Sequence, residues 1–568
     1  MLRALVRCGI VVCWFCIPAV LSAGDPAAEV AARLASGEFG PALAAAGAAG
    51  NAQQRDQLLG KIAAAQAGAG ATTASFDTAS DISSDIVRRA ALNQLGSQPG
   101  RFFGARGGGS GADFTQLIDL ITATISPQSW DTVGGPGSIS GFDGGVYVDA
   151  DGLLKKFPPQ TDRSLIAIRS AAALAGASGN PRRATALRKI SLTRLEREVQ
   201  LLAAQGKRPD ETMQTLAGLQ RIQFILIYPE SGEVVLAGPA GDWRRDAEAR
   251  FVDAEKGRPV VNLDDLVVTL RAAYSKLGRF GCSITPRKDN LAAAQAVNDK
   301  WSKAPLKPGQ RDKWLDEFRD AVGPQDIEVY GIDPRSRAAR VIVEADYRMK
   351  LVGIGLEEGT LGVTNYLQTV QEKGGTPPAM SVLRWWFTLN YSALSATEGR
   401  DAFELKGPGV KVLSENELLT AIGERQHTGA SDELNSRFAE SFTKHFEALA
   451  AKYPVYADLR NIFDLALVAA VMKSHDLPGQ VGWHLTHFGP EGDYQPELSV
   501  APTEVESVIN HRVIGGKHIV AAVSGGVTAD ARSLAAPQAV VVEKNGPIAI
   551  YRDNSRPHEL PRRAWWWD

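Results

Sequence analysis

The chain has too few cysteines to form a disulfide framework. Its 568 residues include four cysteines, and three of these, Cys8, Cys13 and Cys16, lie in a short N-terminal segment with the features of a leader. Once that segment is removed only Cys282 remains, so an intramolecular disulfide cannot form. The apolar neighbours of Cys282 indicate a small buried side chain rather than a reactive thiol. The fold must therefore be held together by the burial of apolar side chains.

The chain also lacks a strong charge of either sign. Its 62 lysines and arginines nearly balance its 64 aspartates and glutamates, which leaves a formal net charge of −2. Such a balance gives no overall attraction to nucleic acid or to anionic lipid. We therefore expect no nucleic-acid partner.

Long apolar runs are scarce. Arg3 and Arg7 precede an apolar run from Cys8 to Leu21, which is shorter than the about 20 residues that a helix needs to cross a bilayer. Small residues before Gly24 fit a cleavage site, so residues 1–23 are predicted to be a signal peptide. The alternative is an uncleaved anchor. After cleavage no transmembrane anchor is expected, and the protein should be exported, to the periplasm or outside the cell.

Recognised catalytic and cofactor motifs are missing from the sequence. There is no Gly-x-Ser-x-Gly elbow, no phosphate-binding loop and no His-Glu-x-x-His. The stretch Gly353-Ile-Gly355 comes closest to a dinucleotide-binding loop, but Glu358 stands where the third glycine belongs. We therefore expect no cofactor.

Hydrophobic periodicity predicts an α+β protein with several domains, mixed helices and antiparallel sheets. The β-branched run Val341-Ile-Val343 predicts a strand, followed by a helix that Asp346 caps. Glycines 353 and 355 in that helix indicate close packing or an early helix end.

Further helices are predicted at 263–277, 431–451 and 456–474, the last apolar nearly all round, and hairpins at 222–237 and 507–523. Four short runs at 383–389, 391–396, 402–405 and 410–413 predict an antiparallel meander, with later strands at 540–543 and 548–551.

Changes in composition divide the chain into six segments. The N-terminal arm is rich in alanine and glycine, and its two predicted helices carry too few large apolar residues to make a core alone. The segments are a signal peptide (1–23), the helical arm with a flexible linker (24–112), a small αβ module (113–157), a helical linker (158–185), the main α+β block (186–496) and a C-terminal β-rich segment (497–568).

All eight histidines lie after residue 426, which makes this part of the chain the place for any metal site. The turn Gly515-Gly516 pairs Val513 with His518, and His511 with Val520, so that both imidazoles lie on one face as diagonal neighbours. His511 and His518 are therefore candidate metal ligands, with a third ligand from elsewhere. The alternative, two ordinary surface or hydrogen-bonded histidines, is the one we expect.

The chain ends in three consecutive indoles, Trp565, Trp566 and Trp567. Neighbouring side chains diverge, so the three cannot all enter one core from a chain end. Either the tail docks in a groove of its own protein, or at least one indole remains exposed as a partner-binding residue. Docking is the alternative we favour, because burying even one tryptophan offsets the fraying of a terminus.

Six phrases between about Arg188 and Asp568 stand out in the sequence: Leu219-Gln-Arg-Ile-Gln-Phe, Val234-Val-Leu-Ala-Gly-Pro239, Val343-Glu-Ala-Asp-Tyr-Arg-Met-Lys350, Arg384-Trp-Trp-Phe387, Lys411-Val-Leu-Ser-Glu-Asn-Glu417 and Gly516-Lys-His-Ile-Val-Ala-Ala-Val523. In these phrases and their order the chain resembles a family of large exported proteins of unknown function from planctomycete-type bacteria. The residues 113–157 are also loosely similar to a module seen near the N-terminal domains of secretin-like proteins, which mediate ring assembly. The family carries no assigned activity, so the resemblance implies export and nothing about chemistry.

The absence of recognised catalytic motifs and the division of the chain into distinct segments favour a non-enzymatic protein that binds a protein or polymer partner in the cell envelope or outside the cell. The alternative is a hydrolase that acts on envelope material, with acidic residues or the face of His511 and His518 as its site. A deep polar cleft with converging carboxylates would favour the enzyme, and a flat aromatic surface would favour binding.

Overall fold

A computed structural model describes most of the chain beyond residue 178 and most of residues 25–96. The described residues are 25–35, 39–69, 71–96, 128, 130, 138–142, 145–149, 179–303, 307, 309–373, 381–419, 425–514, 517–544, 546–557, 560–561 and 563–568. The predicted signal peptide (1–23), residues 97–127 and most of the predicted helical linker (158–185) lie outside these residues. The described residues fall into two compact units, Met1–Gly109 and Ser110–Asp568.

The first unit is a small helical bundle. Its core is formed by alanines together with a few larger side chains, among them Leu58, Ile62 and Ile82. The two helices that the sequence predicted here are present. The expectation that the arm could not form a core alone was wrong, because small alanine side chains let its helices approach closely enough to bury the few large ones. The helices are α1 (Pro26–Ala35), α2 (Phe39–Gly47), α3 (Ala52–Gly68), α4 (Thr72–Ser80) and α5 (Asp85–Gly96).

The second unit contains all the described strands. Within the region predicted as a small αβ module (113–157) it has a hairpin, with Ser138 paired to Asp149. Its strands are β1 (Ser138–Phe142), β2 (Gly145–Asp149), β3 (Thr185–Ser191), β4 (Phe224–Tyr228), β5 (Glu233–Ala240), β6 (Trp243–Arg245), β7 (Phe251–Asp253), β8 (Phe280–Pro286), β9 (Pro324–Tyr330), β10 (Ser381–Asn390), β11 (Ala393–Thr397), β12 (Ala402–Lys406), β13 (Gly409–Leu419), β14 (Arg425–His427), β15 (Glu504–Glu506), β16 (Ile509–Ile514), β17 (Lys517–Ala529), β18 (Val541–Glu543) and β19 (Trp566–Trp567). Its helices are α6 (Leu192–Ala204), α7 (Glu211–Gln214), α8 (Leu263–Tyr274), α9 (Lys288–Ser302), α10 (Gln310–Val322), α11 (Arg337–Gly353), α12 (Tyr366–Lys373), α13 (Glu433–Lys444), α14 (Phe446–Lys452), α15 (Pro454–Ser474), α16 (Leu477–Gln480), α17 (Arg532–Ala535) and α18 (Pro547–Asn554).

Two large mixed sheets organise this unit, which confirms the α+β class. One has the strand order β14-β13-β10-β17-β8-β9-β15 with β16 paired to β17, and the other β18-β11-β12-β4-β5-β3-β19. The predicted meander was wrong: β10 pairs with β13 in the first sheet, whereas β11 and β12 pair in the second. Gly407 and Gly409, with φ of +138° and +88°, allow the chain to return between the sheets.

The last 72 residues do not form a separate structural segment, so the predicted boundary between 496 and 497 is not a boundary of the fold. Strand β17 lies between β10 and β8 in the middle of the first sheet. Strands β18 and β19 form the two edges of the second. Pairing between residues so distant in sequence leaves no local signal.

Helix α15 lies at the centre of the core and contacts both sheets. The ring of Tyr456 lies 5.9 Å from that of Phe387 in β10, and the ring of His475, at the end of the helix, 4.8 Å from that of Phe403 in β12. Most of its residues are buried on every side, as the sequence predicted. The helix predicted at 431–451 is present as two, α13 and α14, which meet at His445.

Two sequence predictions gave the wrong secondary structure. Residues 341–343 belong to helix α11, which Ser336 caps by accepting a hydrogen bond from the Ala339 N–H (3.2 Å), so the predicted strand and the predicted cap at Asp346 are both incorrect. Residues 548–551, predicted as a strand, lie in α18, where Pro547 occupies the first turn. In each case the short apolar run is compatible with the periodicity of a strand and with that of a helix, and tertiary packing decides between the two.

Candidate functional site

A charged cluster lies on the outer face of the first sheet, at its β14 edge. Alternation along β10 buries Leu383, Trp385 and Phe387 on the helix side and places Arg384 and Trp386 on the opposite side. The strand register then brings Arg384 opposite Glu415, and Glu417 opposite His427. We call the group formed by Arg384, Glu415, Glu417, Arg425 and His427 the Glu/His cluster.

Glu415 is held by three donors. Its Oε1 accepts a hydrogen bond from the Gly429 N–H (2.8 Å), and its Oε2 lies 2.8 Å from an Arg384 guanidinium nitrogen and 3.3 Å from His427 Nδ1. Burial raises the pKa of the Glu415 carboxyl, but the hydrogen bonds from Gly429, Arg384 and His427 outweigh it, and the net shift is downward. Glu415 is therefore an anion at neutral pH.

Glu417 is almost fully buried, yet only one of its oxygens is hydrogen-bonded. Oε2 lies 2.9 Å from Arg425 and 3.3 Å from the Ser524 hydroxyl. Oε1 lies 3.1 Å from His427 Nδ1 and 3.9 Å from Arg384 Nε, and it receives no hydrogen bond. The imidazole and the Arg384 guanidinium are thus the nearest nitrogen groups to Glu417 Oε1.

The cluster does not have the geometry of a nucleophilic triad. The Ser524 hydroxyl donates to a carboxylate rather than to an imidazole, and Ser524 is fully buried. Glu415 has a lowered pKa, whereas a general acid needs a raised one. The chemistry that the arrangement supports is binding of a charged group.

An aromatic surface adjoins the cluster on the same face of the sheet. The Arg384 guanidinium lies 4.5 Å from the ring centre of Trp386, which is half-buried. Leu413, directly opposite Trp386 in β13, is 38% exposed. We call Arg384, Trp386 and Leu413 the Trp386 surface.

A second charged pair lies on the helix side of this sheet. Asp346 and Lys350, one turn apart on α11, are both fully buried, with 2.8 Å between Lys350 Nζ and Asp346 Oδ2. Asp346 Oδ1 also accepts a hydrogen bond from the Gly526 N–H (2.7 Å). Burial raises the pKa of Asp346 despite the neighbouring ammonium group. Asp346 is thus an interior residue.

The histidines predicted to share a face are arranged in the predicted backbone register. His511 pairs with Val520, and His518 with Val513. The His511 ring lies edge-on to Trp314, with 6.3 Å between ring centres. The side chain of His518 lies outside the described residues, so a metal site at this pair stays a prediction.

The C-terminal indoles dock on their own protein. Trp565, Trp566 and Trp567 are only 6%, 3% and 7% exposed, and β19 pairs with β3. Arg188 stacks on Trp566 at 4.6 Å and binds the Asp568 carboxylate at 2.6 Å. Buried in this way, the three tryptophans do not form a surface for a partner.

Deletion of 565–567 is expected to lower the melting temperature by several degrees, since it exposes the β3 edge and removes three buried indoles. Partner binding should change little. Differential scanning calorimetry of the deletion variant tests this, with Leu361→Ala, at an exposed position, as the control. Unchanged melting combined with lost partner binding would contradict the docked role.

A cavity of about 370 Å³ lies between α8, the loop after β9 and residues 495–498. Its charged side chains already have partners: Arg271 donates to backbone carbonyls, including that of Tyr494 at 2.8 Å, and Arg335 binds Asp333 at 2.8 Å. The two arginines of this lining are therefore already paired within the protein, and the cavity gives no evidence of a binding site.

Sequence reasoning missed the Glu/His cluster. Glu415 and Glu417 are two residues apart in a strand, which places both carboxylates on one face, and this signal was visible in the sequence. The contribution of His427 depends on β14, a strand of three residues with little pattern of its own.

Comparisons with known proteins identify one related segment and no activity. Residues 282–366, from β8 to the start of α12, match the family model described as "Protein of unknown function (DUF1598)". This segment includes Asp346 and Lys350 but not the Glu/His cluster. No match was found among curated proteins or solved structures. The chain is therefore similar, over residues 282–366, to an uncharacterised family.

In the part of the chain that the structure describes, the helices are too short or too polar to cross a bilayer.

Proposed function

We propose that this chain is an exported, non-enzymatic protein that binds a protein or polymer partner in the cell envelope or outside the cell. Export rests on the basic, apolar and small-residue order of residues 1–23 and on the resemblance to exported planctomycete-type proteins. The observation that carries the binding role is the Trp386 surface, where a half-buried indole, a stacked guanidinium and an exposed leucine lie together on a sheet face.

The charges beside this surface favour binding over hydrolysis. Glu415 and Glu417 each pair with an arginine, which holds both carboxylates in fixed positions. A glycoside hydrolase that acts on envelope polymers typically needs a carboxylic acid with a raised pKa at a cleft. Asp265 has a pKa of about 6, raised chiefly by burial, but it is fully buried in the core and cannot reach a substrate.

The proposal is tested by capture from the envelope fraction of the source organism with the mature chain as bait. Trp386→Ala is expected to remove most of the specifically retained partner, because truncating an aromatic anchor costs about 2 kcal/mol or more in an interface. The matched control is Trp301→Ala, another half-buried indole with a cation over it, Lys300 at 5.3 Å. Equal retention by the wild type and both variants would place recognition elsewhere, and retention of nothing by the wild type would argue against the binding role.

A further inference from the structure

We propose that Glu415, Glu417 and His427 bind a zinc-class divalent metal ion at the β14 edge of the first sheet. This inference goes beyond the proposed function and does not depend on it. One ligand atom from each residue lies within 4.8 Å of the other two, and the set combines an imidazole with two carboxylates. That ligand chemistry is the one borderline transition-metal ions use in proteins.

The distances within the cluster match the spacing of ligand atoms around a small ion. His427 Nδ1 lies 3.1 Å from Glu417 Oε1 and 3.3 Å from Glu415 Oε2. With bonds of about 2.0–2.1 Å, neighbouring ligand atoms in a tetrahedral zinc site lie about 3.3 Å apart. The two carboxylate oxygens lie within 4.8 Å of each other, so an ion bound by all three residues would draw them closer together.

An independent observation is the unsatisfied oxygen of Glu417. Oε1 is buried and receives no hydrogen bond, although Oε2 of the same carboxylate binds Arg425 and Ser524. Buried carboxylate oxygens normally have a donor or a cation. Oε1 is directed at the space beside His427 Nδ1, where an ion would satisfy it.

The surrounding residues fix the carboxylates and leave a route to solvent. Arg425 holds Oε2 of Glu417, and the Gly429 N–H holds Oε1 of Glu415, as outer partners do in metal sites. Arg384 lies 2.8 Å from Glu415 Oε2, the oxygen beside His427, so an ion must displace this guanidinium from that oxygen and the proton from Nδ1. The His427 side chain is 61% exposed, so the ion can enter from water and keep a water ligand. The two arginines neutralise the two carboxylates, so they weaken the attraction for a dication.

The proposal is tested with the mature chain, purified without a histidine tag and treated with chelator. Titration with zinc chloride in a calorimeter is expected to give one equivalent, and cobalt(II) the visible absorption of a low-coordinate site. Glu417→Gln and His427→Ala should each weaken binding at least tenfold. His427 is exposed, so its variant tests the site even if Glu417→Gln fails to fold.

Two further variants distinguish a metal site from an ion-pair network and from zinc binding at an unrelated histidine. Arg425→Gln should tighten zinc binding, because it removes an opposing charge, whereas a cluster that serves only as an ion-pair network would gain no affinity. His484→Ala, at an exposed histidine outside the cluster, should leave binding unchanged. The proposal is overturned if zinc does not bind, if binding survives both ligand variants, or if it is lost only in the double variant His511→Ala/His518→Ala.

Discussion

Replacement of Arg337 by methionine is expected to lower the free energy of unfolding by about 3–5 kcal/mol, the range for removal of one partner from a buried ion pair. The Arg337 guanidinium binds two buried carboxylates, Asp265 and Asp458, the second at 2.5 Å. Burial and the charge of Asp458 raise the pKa of Asp265 to about 6, even with Arg337 in place. Methionine fills much the same volume but leaves both carboxylates without a counter-charge.

The loss should depend on pH in a defined direction. The Asp265 carboxyl already binds a proton more tightly in the folded state than in the unfolded chain, whose aspartate pKa is about 3.9, and loss of the guanidinium strengthens this binding. The variant should therefore recover stability as the pH falls from about 7 toward 4, and its deficit should be largest at pH 7 and above. Urea denaturation at several pH values measures this deficit.

The matched control is Arg335→Met, two residues away, whose ion pair with Asp333 is exposed to solvent. An exposed pair contributes about 0–1 kcal/mol, so this variant should unfold almost as the wild type does. If Arg337→Met costs no more than Arg335→Met, the Asp265–Arg337–Asp458 group is not the buried charge network described here.

Local pairing could be predicted from the sequence. The hairpin of β16 and β17 has the predicted register, with Ile514 paired to Lys517, because the two glycines between them and the flanking apolar alternation are both visible in the sequence. The hairpin of β4 and β5 and the all-round burial of α15 were equally visible, since each depends on a pattern within one short window.

Long-range pairing could not be predicted in this way. The Arg384–Glu415 contact joins residues 31 apart, and the Ser524–Glu417 contact joins residues 107 apart. The order of the strands in each sheet depends on how the helices pack against the sheets. A short stretch of sequence contains no signal for this order. The predicted meander and the predicted C-terminal boundary were wrong for this reason, and the Glu/His cluster was missed with them.

The matched segment carries a second buried ion pair, whose disruption is expected to be comparably costly. Among the described residues, Lys350 supplies the one cation within hydrogen-bonding distance of the Asp346 carboxylate. Lys350→Met removes it and leaves a fully buried carboxylate, which should lower the free energy of unfolding by about 3–5 kcal/mol. The close packing is evident at Gly525, where a Cβ atom would lie 2.7 Å from Asp346 Oδ1 and 2.8 Å from Lys350 Cε. The backbone of β17 thus approaches this pair too closely for solvent to replace the ammonium group.

A double-mutant cycle in urea separates loss of the pair from loss of packing. Asp346→Asn keeps an acceptor for the Gly526 N–H, so the double variant Asp346→Asn/Lys350→Met should recover a large part of the stability that Lys350→Met loses. Arg340→Met is the control, since Arg340 and Glu344 have the same spacing on the exposed side of α11 and should contribute less than about 1 kcal/mol. Additive effects in the cycle would contradict a coupled pair. Coupling of about 2 kcal/mol or more would show that the two buried charges on this helix of the matched segment stabilise the fold as a pair.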